Sequence, residues 1–193
     1  MNMRLPPLYK TLLMLALVFG PFFWLMFTQD GQRRTDLVVA TLFGKEPFDV
    51  AIDQLHGDLT KHQFRDKFPD LELQCREGSN PFGDRLCAAE IGSFNQIPSR
   101  SVVLFFSGDS LRAVKVSYRP AYHDLMLQWL NRRVYDVTGA PPVPDQVNPD
   151  GVGTWVVDDG IVFVKATELT DTDEPALLWL SDIAVQQGRA GQN

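Results

Sequence analysis

The pattern of apolar and polar positions begins with an unbroken apolar block. TLLMLALVFGPFFWLMFT, Thr11 to Thr28, has no charge between Lys10 and Asp30. With Leu8 and Tyr9 it reaches the roughly 20 residues that cross a bilayer core as helix. Gly20-Pro21 inside the block predicts a kink, which membrane helices tolerate better than soluble ones. No ionisable residue lies in it, so it carries no signature of an ion pathway or proton relay. A cleaved signal peptide is the rival reading, because Arg4 and Lys10 precede the block. The run is longer than an h-region of about 7–15 residues and no small-x-small site follows, so an uncleaved anchor is expected.

Beyond the span the periodicity changes repeatedly. Thr35–Phe43 (TDLVVATLF) extends the helical pattern as far as Gly44, and Pro47–Asp53 alternates as a half-buried strand with Phe48, Val50 and Ile52 on one face. Thr60 and Gln63 form a capping box with Leu59 and Phe64 as hydrophobic staple, and Pro69 ends that helix. LELQC and LCAAEI flank a turn-rich stretch and predict a hairpin with a long tip. A second hairpin pairs SVVLFF (101–106) with LRAVKVSY (111–118), the facing of the latter being ambiguous. The main helix runs from about Pro120 to Thr138, where Tyr122, Leu125, Met126, Trp129 and Leu130 make the apolar stripe and Gly139 follows as C′ residue. After a proline-rich loop, Trp155–Val157 and Ile161–Val164 flank Asp158-Asp159-Gly160 as a third hairpin. Ala176–Leu180 (ALLWL) is read as a last strand, with a short helix from Pro175 as alternative.

These elements predict an α+β fold: an N-terminal transmembrane helix, then an antiparallel sheet packed against one main helix. The expected division is a cytoplasmic start and anchor over 1–34, a juxtamembrane linker over 35–46, an extracytoplasmic α+β domain over 47–185 and a disordered tail over 186–193.

Charge and cysteine content add compartment. Only Arg4 and Lys10 of the 18 basic residues precede the span, so the remaining 16 meet all 24 acidic ones and the outer part carries −8. That argues against nucleic acid and against docking flat on anionic lipid. Arg4 and Lys10 on one side of the span and Arg33 and Arg34 on the other leave the positive-inside rule nearly balanced. Cys75 and Cys87, the two cysteines, sit at opposite ends of one short loop; zinc wants four ligands and a redox pair is usually Cys-x-x-Cys. A disulfide is the expected pairing, with two unpaired buried thiols the alternative. The disulfide is expected to place the domain on the oxidising side of a single-pass membrane protein, outside the cytoplasm, with the N-terminus inside.

The chemistry-bearing strings are sparse. Ser107-Gly108-Asp109-Ser110-Leu111 contains the GDSL string of a hydrolase family in which the serine is nucleophile and an Asp-x-x-His pair lies near the C-terminus. Here the last histidine is His123 with Pro120 three before it, and a serine without a base is a poor nucleophile. A hairpin turn is the preferred reading; a small envelope hydrolase using Ser110 is the alternative function. His56 and His62 do not share a helix face, His62 and Asp66 do, and His123 is expected at the rim of the main helix. Asp171–Glu174 and Asn148–Gly151 do not fit the twelve-residue calcium loop. Trp129, Trp155, Phe105, Phe106 and Phe163 read as core, and Trp24 as a membrane residue. No catalytic residue, cofactor or metal site is expected.

The order main helix, Gly139-Ala140-Pro141, then Trp155 opening a hairpin is similar to the small SmpA/OmlA-like bacterial envelope domains, over residues 120–165. The resemblance implies an envelope location and a binding or scaffolding role, although the lipid-bearing N-terminal cysteine of those domains is replaced here by an anchor helix. The expected function is a non-enzymatic, membrane-anchored module for another envelope or membrane protein. Its expected contact surfaces are Trp179, on an exposed edge strand, and the loop containing Pro141 and Val143.

Overall fold

A computed structural model describes residues 6–138, 144, 146–170 and 172–190. The fold is α+β, with an apolar N-terminal helix and an open mixed sheet packed with helices. Helix α1 (Pro7–Phe27) continues through Pro21, and its segment Leu8–Phe27 has mean hydropathy 1.8 with none of it buried against the protein. It is long and apolar enough to cross a membrane. Thr28 breaks the helix with extended backbone, and its hydroxyl accepts the Gly31 amide to cap helix α2 (Gln29–Leu42).

The juxtamembrane segment over 35–46 is helical as far as Leu42, as the Thr35–Phe43 pattern predicts, and it is docked on the domain. Asp36 binds Arg119 and Tyr122, Ala40 is buried, and the Gly92 amide donates to the Glu46 carbonyl.

The expected strand over Pro47–Asp53 is also corrected. Phe48, Val50 and Ile52 are buried as the alternation requires. Only β1 (Pro47–Phe48) is strand, pairing in parallel with β4 (Ser93–Phe94), and Ile52–Gln54 is a 3-10 turn. Helix α3 (Lys61–Lys67) carries the complete capping box and buries Phe64 against Phe48 and Phe68.

The hairpin tip is shorter than expected. β2 (Gln74–Asn80) and β3 (Gly83–Glu90) continue their pairing almost to Pro81-Phe82, so most of the anticipated loop is strand. Cys75 faces Cys87 in that ladder, and the two form a disulfide. β5 (Ile97–Ser107) and β6 (Ser110–Tyr118) form the second hairpin. Its register shifts between Phe105 and Phe106, where Arg112 is the extra residue. That bulge reverses the facing partway along β6, which explains why its alternation is ambiguous.

After helix α4 (His123–Thr138) come β7 (Gln146–Val147), β8 (Val152–Val157) and β9 (Gly160–Lys165). Strand β10 (Ala176–Ser181) then inserts between β6 and β9. The order across the sheet is β1-β4-β5-β6-β10-β9-β8-β7, with β3 and β2 beside the rest of β5. Helix α5 (Asp182–Ala190) replaces most of the expected disordered tail; residues 191–193 lie outside the described residues.

The core lies on one face of this sheet. Leu104, Val114, Trp179, Val162 and Trp155 come from adjacent strands in register, and Met126, Leu130 and Val134 of α4 complete the cluster. Burying side chains of this size contributes about 1.5–3 kcal/mol each, which is what holds the helix to the sheet.

Candidate functional site

Trp179 is not an exposed edge residue. Its strand is paired on both sides, with Val114 of β6 and Val162 of β9, and its side chain is 0% exposed. It is core. The signal was in the letters: an apolar run on both parities, ALLWL, suits an interior strand, whereas an edge usually carries charge, bulge or proline. Pro141 and Val143 lie outside the described residues, and the visible end of their loop is the short strand β7.

The segment holding His56 and His62 docks on the Ser110 turn, where Thr60 bridges Ser110 and the Leu111 amide donates to the Leu59 carbonyl, but each histidine has a partner other than Ser110. His56 is 3.7 Å from Asp159, and His62 is 2.9 Å from Asp66. His123 is buried rather than at a rim, 6% exposed. Its Nε2 lies 3.2 Å from the Thr167 carbonyl and its Nδ1 lies 2.8 Å from the Tyr118 hydroxyl. A carbonyl only accepts, so Nε2 carries the proton and Tyr118 donates to Nδ1. Burial pushes the Tyr118 hydroxyl well above the ordinary tyrosine range, which keeps it a donor. This triad ties β6, α4 and the segment after β9 together. Among the described residues, no group of three or more His, Cys, Asp or Glu is arranged to hold a metal.

The two acidic loops are structural staples. The Asn148 side chain accepts the Val152 amide and Gly151 adopts φ +77, closing the β7–β8 turn. Asp173 accepts the Thr170 amide at 2.6 Å and the Thr170 hydroxyl at 2.8 Å, and pairs with Lys165. Lys165 first, then Thr170, holds its carboxyl down at about 2.

That stapled loop walls an open apolar groove. Opposite the core, the same strands present Val103, Lys115, Leu178, Phe163 and Thr154 in neighbouring register. Strand side chains alternate between faces, so these residues point away from α4. Phe82 of the β2–β3 turn leans edge-on against Phe105 at 5.2 Å. Lys115, Leu178, Phe163 and Phe105 line a groove of about 570 Å³ together with Phe82, Leu169, Asp173 and Pro175. Phe82, Phe105, Phe163 and Leu178 are each half-buried. Phe105 and Phe163, expected in the core, therefore belong to this outer face.

A second cleft of about 480 Å³ lies between α2 and α4, where Arg33, Arg132 and Arg133 meet Asp49, Gln128 and Trp129. Arg33 there is already paired with Asp30 at 2.9 Å. Asn95 and Gln96 at its edge have φ +47 and +64, as a two-residue hairpin turn between Phe94 and Ile97 requires. No family model, curated protein or solved structure matches the chain.

Proposed function

We propose that this chain is a single-pass inner-membrane protein whose domain lies in the periplasm and binds or scaffolds another envelope or membrane protein. α1 supplies the anchor, and the disulfide supports an oxidising compartment. Confinement to the membrane plane raises the effective concentration of membrane neighbours. The acidic outer part speaks against nucleic acid as the ligand. The resemblance to SmpA/OmlA-like domains, carried by the sequence order of main helix, Gly139-Ala140-Pro141 and Trp155, is part of the proposal.

The observation that carries the binding reading is the outer face of the sheet, open among the described residues, with Phe82, Phe105, Phe163 and Leu178 in one groove beside exposed Lys115. Its occupant is a polypeptide segment that presents apolar side chains, and half-exposed aromatic anchors of this kind concentrate binding energy. A photo-crosslinking residue placed at Phe163 or Leu178 in intact membranes should capture one envelope protein. The same residue at His62 should not, and Phe163→Lys should abolish capture through Leu178. Equal capture from all three positions, or none from the groove, overturns the assignment. An alkaline phosphatase fusion at the C-terminus, stably made yet inactive, reverses the topology.

A further inference from the structure

Helix α2 has two faces with different partners. Asp36 and Ala40 point to the domain, through Tyr122 and Arg119 and into the buried contact near Gly92. Gly31, Thr35, Val38 and Leu42, spaced four, three and four, form the opposite stripe. The first half of that stripe packs on α1. A Cβ on Gly31 would sit 2.3 Å from the Trp24 carbonyl oxygen and 2.6 Å from Leu25 Cα, so only glycine permits this approach. Thr35 lines a shallow cleft with Phe22, Leu25 and Met26, into whose rim Asp36 also reaches from the domain side, and Gln32 donates to the Met26 carbonyl at 2.8 Å. The second half is bare. Val38 is 59% exposed and Leu42 79%, and Phe43 just beyond the helix is 78% exposed.

The bare apolar stretch thus lies on the side of α2 that faces α1, and the domain lies on the other. We infer that α2 rests in the membrane interface, its Val38–Leu42 face against lipid acyl chains and its Asp36–Ala40 face holding the domain to the bilayer surface. This rests on the reading of α1 as a membrane anchor. The occupant follows from continuity: the stripe begins at Gly31, four residues after α1 ends and packed against it, and runs on to Val38 and Leu42 without cover among the described residues. An amphipathic helix in this position buries its apolar face about 5–10 Å into the headgroup–acyl boundary. Trp24, stacked by the Arg34 guanidinium at 5.7 Å, occupies the level where tryptophan is enriched in membrane proteins. The attachment is apolar, so it does not conflict with the acidic charge of the domain. The sheet is consequently held in one orientation over the membrane instead of swinging on a tether.

The test uses the full chain, reconstituted in phosphatidylcholine vesicles and in vesicles with added phosphatidylglycerol. Single additional cysteines at Leu15, Val38, Leu42 and His62 carry an environment-sensitive fluorophore. Lipids with a nitroxide near the headgroup or near the chain end serve as quenchers. Probes at Val38 and Leu42 should be quenched several-fold more by the shallow nitroxide than by the deep one, equally in both vesicle types. The probe at Leu15 should show the reverse depth preference, and the probe at His62, 84% exposed, should show neither. Probes at Val38 and Leu42 that respond only to aqueous iodide overturn the inference, as do probes shielded from both water and lipid, which would indicate a second copy or a partner helix. Failure of Leu15 to be quenched by the deep nitroxide would instead remove the anchor itself.

Discussion

Tyr122 Oη donates to Asp36 Oδ2 at 2.7 Å across 86 positions of sequence, fastening α2 to the start of the main helix. Arg119 reaches the same oxygen at 2.7 Å. Asp36→Ala removes one charge-assisted hydrogen bond and one partly exposed ion pair, about 1–2 kcal/mol together. Hydrogen exchange on the reconstituted chain should quicken over residues 35–42 while the central strands stay protected; unchanged exchange would mean that Asp36 does not hold α2. Burial first, then Asp36, pushes the Tyr122 hydroxyl up to about 12. Because the folded value lies above the ordinary tyrosine value of about 10, its stabilising contribution is complete below pH 10 and lost as pH rises towards 12. Tyrosinate absorbance should appear at lower pH in Asp36→Ala than in the parent.

The disulfide closes a short hairpin, and the chain-entropy argument assigns it about 3 kcal/mol. Replacing both Cys75 and Cys87 with Ser should lower the urea midpoint by a corresponding amount without changing the far-ultraviolet spectrum of the folded state. Mass mapping of the native protein without reductant should return the two cysteine peptides linked. Free thiols at both positions would withdraw the argument for an oxidising compartment.

His123→Ala strands the Tyr118 hydroxyl and the Thr167 carbonyl in the interior and opens a cavity, for a cost of about 2–4 kcal/mol. Tyr118→Phe, which removes only the donor, should cost about 1 kcal/mol. The double variant should be less destabilised than the sum of the two, since both act on one hydrogen bond. Strict additivity, read from denaturant unfolding, would show the bond to be absent.

Asp173→Asn should loosen the loop that walls the outer groove. The carboxyl has a folded value of about 2, below the ordinary aspartate value of 3.8. The stabilisation it provides is therefore present above pH 3.8 and disappears as pH falls through about 2. Exchange protection of the Thr170 amide should fall in that acid window and be low at all pH values in Asp173→Asn. Equal protection of Thr170 in parent and variant at neutral pH would remove Asp173 as the staple.

Several features were legible because their causes are local. The capping box at Thr60 and Gln63 needs only residues three apart, and the Asp158-Asp159-Gly160 turn needs only its own backbone. Other features depended on distant partners. The alternation of Phe48, Val50 and Ile52 correctly reports burial, yet extended pairing ends after Phe48 because β4 offers only Ser93 and Phe94 opposite it. Phe105 and Phe163 look like core by hydrophobicity alone; strand parity, once Leu104 and Val162 take the helix side, turns them to the outer face.

By itself the sequence determined the uncharged apolar run, the helix caps, the hairpin turns, the pairing of its two cysteines and the acidic balance of the residues after that run. Each follows from neighbouring residues, from simple counts or from the lack of another partner. Only the tertiary structure decided that β10 enters between β6 and β9, burying Trp179, and that α2 is clasped by Arg119 and Tyr122. The same is true of the open groove on the far face of the sheet. Strand order and helix docking depend on which apolar faces meet across long separations, and an apolar run states that it must be covered without stating by what.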